Sequence, residues 1–212
     1  VCTINKKITE KIPEIKKIFD SIYNAKCTLN YQEPYQLLIA TQLAAQCTDA
    51  RVNIVMKDLI RKYKSLEDFA AADLEEFQND IRSTGFFRNK AKNIIAACKM
   101  IISDFGGRVP DNMTDLLKLP GVGRKTANLI LGDVYGKPAI VVDTHAKRLA
   151  RRIGLTTNTD PYKIELDLAK IIPPEYQALF SHQLVWHGRQ YCKAQKPFCE
   201  KCPILHLCSK KI

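Results

Sequence analysis

Two groups of residues in this chain have types and spacings suited to chemistry. The first closes the sequence. Cys192, Cys199, Cys202 and Cys208 are spaced C-x6-C-x2-C-x5-C within the last 21 residues. Four thiolates in so short a stretch can converge on one metal centre, and zinc and a four-iron, four-sulfur cluster both accept four cysteine ligands. A zinc ribbon usually brings two C-x2-C pairs, and here there is one. The uneven gaps suit a cluster several ångströms across better than a single tetrahedral ion. The second group is Lys125 and Asp143, 18 residues apart.

Lys125 lies in LPGVGRKTAN, residues 119–128. Pro120 is expected to end the helix before it. Gly121 and Gly123 are expected to take positive φ in a tight hairpin. The next helix then opens with unpaired backbone N–H groups and the positive end of its dipole. With no side chains at the glycines, a phosphate can approach the main chain closely. This is a helix-hairpin-helix, a grip for DNA phosphates that reads no sequence. Lys125 follows it directly, placed as a nucleophile or as a phosphate contact. Asp143, in VVDTH at residues 141–145, falls between an apolar stretch and a helix, where an N-cap also belongs.

The elements that must position these residues are helices. Ile12, Ile15, Ile18, Phe19 and Ile22 recur at helical spacing. The same period runs through residues 35–45, 48–62, 74–81, 90–105, 113–117, 125–134, 144–153, 161–171 and 175–190. Only 139–142 reads as a strand, and four residues do not make a sheet. Gly106-Gly107 and Pro173-Pro174 mark breaks. The expectation is an all-α protein. There is one internal echo: GFFRNKAKNII at 85–95 resembles GVGRKTANLI at 121–130 with one extra residue.

Composition narrows the partner. The chain of 212 residues is 46% hydrophobic, enough for a core, and carries a net charge of +11. A surplus of that size points to a polyanion, most often nucleic acid. The charge is spread over Lys16-Lys17, residues 88–92, residues 148–152 and Lys210-Lys211, which implies a binding face and not a tail. Cys2, Cys27, Cys47 and Cys98 stand in apolar, helical surroundings and read as reduced, mostly buried thiols. The first residues, VCTINKKITEKIPEIKKIF, hold no apolar signal core. The longest largely apolar stretch, 37–45, is interrupted by Thr41 and Gln42, so no segment is expected to span a membrane. A cytoplasmic, nucleoid-associated protein is expected.

LPGVGRKTAN, then VVDTH, then HGRQYC with the four-cysteine spacing, resembles the endonuclease III family of DNA glycosylases in motif, order and spacing over nearly the whole chain. The resemblance implies a monomer acting on damaged double-stranded DNA with two helical domains flanking a cleft. Residues 24–136 would form the bundle with the hairpin. Residues 1–23 and 137–212 would form a domain around a [4Fe-4S] cluster held by Cys192, Cys199, Cys202 and Cys208. Lys125 would attack C1′ of the sugar, displace an oxidised pyrimidine and form a Schiff base, and β-elimination would nick the strand. A free lysine has pKa about 10.4, so only about one molecule in 2,500 is uncharged at pH 7. Burial against the helix end is expected to supply part of the correction. Asp143 would relay the proton and stabilise charge developing on the sugar.

The same resemblance assigns the DNA contacts. Gln46 would fill the hole left by the flipped base, and Phe86 would wedge into the opposite strand, with Phe87 the neighbouring candidate. Gly121, Gly123 and Arg124 would hold phosphates. His145 would order a phosphate or the Asp143 loop, and Lys193 and Lys196 would point outward from the first cysteine loop. Adenine-removing relatives use a glutamate in the early helix, and this chain has no acidic residue between Glu33 and Asp49. A mismatch-specific thymine or uracil glycosylase is set apart by its pocket residues, and relatives of that type often carry a tyrosine in place of the lysine. A non-catalytic DNA scaffold would need the hairpin and charge alone, and a ferredoxin the cysteines alone.

Overall fold

In the computed structural model the described residues are 9–209, and Cys2 and the Lys210-Lys211 pair lie outside them. The described residues form helices joined by turns, with no strand among them. The chain divides into two compact units. Cys27–Tyr135 forms one, and residues up to Lys26 with those from Gly136 onward form the other.

In the unit spanning Cys27–Tyr135, α2 (Pro34–Leu43) is buried at seven positions, Gln36 to Ala40, Gln42 and Leu43. An apolar run without amphipathic stripe is what a helix surrounded by others requires. Its neighbours are α3 (Asp49–Lys62), α6 (Phe87–Phe105) and α8 (Arg124–Asp133). The 19-residue α6 also carries α4 (Leu66–Ala70) and α5 (Leu74–Asp80) on its flank. Tyr63, Phe69 and Phe77 interlock edge-on and tilted, at ring centroids 5.1 to 6.1 Å apart, and fill the corner between these elements. The five-residue α4 was not legible as a helical period because it is a single capped turn, opened by Ser65 through Asp68 N at 3.1 Å. A last short helix, α7 (Met113–Leu116), leads into the hairpin.

The other unit gathers α1 (Ile12–Ile22), α9 (Thr144–Ile153), α10 (Pro161–Ile171) and α11 (Gln177–Gln190) around one core. From α1 the residues Ile12, Ile15 and Phe19 are buried, each contributing roughly 1.5–3 kcal/mol by leaving water. Ile18 of the same stripe is half-buried and Ile22 is 43% exposed, so the buried face is narrower than the apolar pattern. Leu149, Ile153, Ile164, Leu168, Phe180 and Leu184 complete the core. Residues 139–142, expected as a strand, belong to no strand or helix. Ala139 and Ile140 are buried, and Val141 N donates to Ser181 Oγ at 3.0 Å. Two single 3-10 turns, Cys199–Lys201 and Leu205–Leu207, end the described chain. No helix among the described residues is long and apolar enough to cross a membrane.

Candidate functional site

The hairpin forms at residues 117–123. Helix α7 ends at Leu116, and Leu119 N and Val122 N close tight turns onto Leu116 O and Leu119 O at 3.2 and 3.1 Å. Gly121 has φ +75, as the hairpin requires, and is also crowded. A Cβ there would stand 2.6 Å from Gln42 Oε1 and 2.9 Å from Asn93 Cβ. Gln42 in turn donates from Nε2 to Pro120 O at 3.2 Å, tying the hairpin to α2. Gly123 departs from expectation. Its φ is −101, in the extended region open to any residue, and a Cβ there would meet nothing within 4 Å. Gly123 leaves space in front of α8 and is not needed for the turn.

Helix α8 follows Gly123 without a side-chain cap, whereas α3, α4, α5 and α7 are capped by Thr48, Ser65, Asp73 and Asn112. The amino end of α8 therefore keeps donors that those helices have spent on a cap. Arg124 and Lys125 are its first two residues. Lys125 is exposed, so the burial expected to act on its amine is not supplied by the chain itself.

Beside the hairpin lies a cavity of about 200 Å³ lined by Gln42, Gln46, Phe86, Lys90, Asn93 and Gly121 among others. Gln46 lies in the turn between α2 and α3 and not on a helix, with φ +57. Phe86 opens α6 with φ +49 and is 65% exposed. Left-handed backbone at a residue with a Cβ costs about 1–3 kcal/mol and persists only where the surroundings hold it. Phe87, the neighbouring candidate, is half-buried under the guanidinium of Arg88, 5.2 Å from its ring. The geometry thus separates the two phenylalanines.

In the other unit Asp143 caps α9, accepting from Ala146 N through Oδ1 at 2.7 Å. Asp143 is thus an N-cap, and capping occupies one of its two carboxylate oxygens. His145 follows in the first turn, with Nδ1 3.1 Å from Arg148 Nη2. A Cβ at Gly188 would come within 2.5 Å of that nitrogen, so α9 and α11 touch closely there.

Cys192, Cys199, Cys202 and Cys208 line one cavity with Arg152, Tyr191, Pro197, Phe198 and Leu205. All seven described cysteines are free thiols. Among the described residues no three His, Cys, Asp or Glu side chains stand close enough to hold a single metal ion. Four thiols around one shared space fit a polynuclear cluster, whose ligands stand farther apart. Of the remaining cysteines, Cys98 is buried, and burial pushes its thiol up to about 12. Cys27 and Cys47 are half-buried free thiols, and neither stands in a helix as expected: Cys27 lies in the loop between α1 and α2, and Cys47 in the turn before α3.

Three residues around the thiols escaped the sequence reading. Arg148 donates from Nε and Nη2 to Cys192 O at 3.1 and 3.0 Å. Arg152 donates to Cys192 Sγ at 3.5 Å, to Lys193 O at 2.7 Å and to Ala194 O at 3.0 Å. These two were counted toward a binding face, yet they brace the cysteine loop. Their i, i+4 spacing on α9 was the available signal for a shared face. His187 is buried with Nε2 3.4 Å from Cys202 Sγ and Nδ1 2.8 Å from Tyr23 Oη. Burial holds its imidazole down at about 4. Lys193 and Lys196 are exposed, as expected, with the Lys193 ammonium 4.6 Å from the Phe198 ring centroid.

Comparison with known proteins follows this geometry. Residues 39–174 match the model of the HhH-GPD superfamily base excision DNA repair proteins. The chain is 50% identical over 201 residues to an endonuclease III from Synechocystis, covering 94% of this chain and 92% of that one. It is 48% identical over 195 residues to an endonuclease III from Bacillus subtilis, covering 92% and 89%. Among solved structures, a trapped endonuclease III–DNA covalent intermediate, an estranged-adenine complex, superposes with a TM-score of 0.89 at 45% identity, covering 97% of this chain and 95% of that one.

Proposed function

Since this chain belongs to the HhH-GPD superfamily of base excision DNA repair proteins, among the endonuclease III enzymes, and is thus a DNA glycosylase and AP lyase, we propose that it removes oxidised pyrimidines through a Schiff base on Lys125. The observation that carries this reading is an exposed amine on the first turn of an uncapped helix, directly after a phosphate-accessible hairpin. The hairpin and Gly123 hold the phosphates near the lesion, with Arg124 beside them. Lys125 Nζ attacks C1′, the C1′–N bond breaks, and the base leaves with the bonding electrons. The sugar ring opens to an iminium at C1′. Loss of a C2′ proton then expels the 3′ phosphate, and water releases the lysine. Bound DNA, and not the chain, shields the amine from water.

Asp143 takes the proton that Lys125 must lose and faces positive charge on the sugar. The support is its carboxylate, which spends one oxygen on the helix cap. Gln46 enters the vacated stack and Phe86 pushes against the opposite strand. The support is their shared cavity and their left-handed turns. Ring-saturated pyrimidines lose stacking and flip at lower cost, which makes them the expected lesions. Cys192, Cys199, Cys202 and Cys208 hold a [4Fe-4S] cluster, which when bound supplies a structural crosslink for the C-terminal turns. Lys193 and Lys196 then face phosphates from the braced loop. The enzyme has two domains, residues 24–136 and residues 1–23 with 137–212, a reading supported by the division of the chain into two compact units, and it acts as an intracellular monomer on duplex DNA.

Borohydride trapping on a duplex with one thymine glycol tests this. A covalent adduct with the wild type and none with Lys125→Ala is the expected result. Base release without an adduct would replace the Schiff base by activated water. Neither adduct nor release would leave a DNA-binding scaffold. The purified protein is expected to be yellow-brown with about four irons per chain, and a colourless protein with one zinc would overturn the cluster.

A further inference from the structure

Lys90 is 6% exposed, which is rare for an ammonium, and burial lowers its pKa from the ordinary value. Its Nζ donates to two main-chain carbonyls, Leu43 O and Thr84 O, each at 2.8 Å. These carbonyls belong to two different segments. Leu43 ends α2, three residues before Gln46. Thr84 ends the 3-10 turn Arg82–Thr84, two residues before Phe86. Gln46 and Phe86 have positive φ, as Lys196 alone does among the other described non-glycine residues, and Gln46, Phe86 and Lys90 line the same cavity. A compact, three-donor point charge is suited to binding two carbonyls that approach from different directions.

We propose that Lys90 is the positioning residue of the DNA wedge: its ammonium ties the Gln46 turn to the Phe86 turn, so that both side chains meet the duplex at a set spacing. This rests on the wedge roles assigned above to Gln46 and Phe86. Lys90 itself touches neither the lesion nor the reacting atoms. Removing the ammonium leaves two buried carbonyls without a donor and frees both turns to relax from left-handed backbone.

The test uses Lys90→Met on two substrates, a thymine glycol paired with adenine in a duplex and an abasic site in a single strand. Only the duplex requires a wedge. The expected result is a fall of about tenfold or more in duplex turnover, as for a misplaced positioning group, with borohydride trapping on the single strand kept within about twofold. A 2-aminopurine placed opposite the lesion should lose the fluorescence rise that reports its unstacking. In a Gln46→Ala, Phe86→Ala background the same Lys90 change should cost nothing more on the duplex. Equal loss on both substrates, with or without loss of helix content, or a further loss in that background, assigns Lys90 to the core alone and overturns the proposal. Failure of the wild type to trap on either substrate is a different outcome and defeats the Schiff-base reading before Lys90 is reached.

Discussion

Residues 85–95 and 121–130 are two similar strings with opposite fates. Both begin with a glycine of positive φ, +70 at Gly85 and +75 at Gly121, and both lead into a helix without a side-chain cap. Each places a lysine soon after. Lys90 is buried on two carbonyls, while Lys125 is exposed. The cause is register. Helix α6 starts at Phe87, so Lys90 is its fourth residue, and α8 starts at Arg124, so Lys125 is its second. Two residues are about 200° around a helix. One lysine therefore turns into the core and ties turns together, and the other turns out to where DNA can reach it. The same residue type becomes a strut or a nucleophile according to where the helix begins.

The largest effect that would test this contrast is at Lys125. Lys125→Gln is expected to bind damaged duplex with near-unchanged affinity yet lose about a thousandfold or more in single-turnover base release, as when a nucleophile is removed. Retained turnover would put the two lysines in one class after all. The glycines come next. Gly121→Ala should destabilise by about 2–5 kcal/mol, combining left-handed strain with overpacking against Gln42 and Asn93. Gly85→Ala should cost about 1–3 kcal/mol from strain alone, since nothing lies within 4 Å of its Cβ. Urea unfolding that ranks the two the other way would show that the crowding at Gly121 is relaxed at little cost.

Gly123→Ala sharpens the comparison from the other side. Its backbone is extended and its Cβ position is open, so the melting temperature should stay near the wild type. Affinity for duplex should still drop several-fold, because a methyl group stands where a phosphate approaches the α8 amino end. Anisotropy titration and a thermal melt together decide it, and unchanged binding would remove Gly123 from the DNA face. The smallest change is expected at Arg124. Binding should weaken with salt at a slope of about −0.9 per phosphate neutralised, and Arg124→Ala should lessen that slope by about one. An unaltered slope would remove Arg124 from the phosphate contacts.

Helix positions were legible because amphipathic spacing is a local property. Thr144–Ile153 and Pro161–Ile171 are observed as read, and most others differ by a residue or two at their ends. The one-turn α4 left no period to read. Residues 139–142 look like a strand because they are apolar and β-branched, but their partner is a serine side chain and not another strand. The chemistry-bearing residues were legible wherever type and spacing were themselves the signal, as with the four cysteines, the hairpin glycines and the lysine after them. Lys90 and His187 carried no such signal, and the i, i+4 spacing of Arg148 and Arg152 marked a shared face without showing what that face meets. Each acts through partners distant in sequence, and a lysine or arginine in a basic chain reads first as surface.

What the sequence by itself determined was the helical content, the hairpin and the list of groups able to do chemistry. These depend on residue type and on neighbours within a few positions, where backbone geometry and side-chain period are strict. The tertiary structure alone decided which cations face water and which face carbonyls. It also decided that Gly123 needs no special backbone while Gln46 and Phe86 do. The physical reason is that burial and crowding are sums over atoms brought together from distant parts of the chain. A one-residue shift in where a helix starts is small in sequence, yet it moves a charge by a quarter turn or more around the helix.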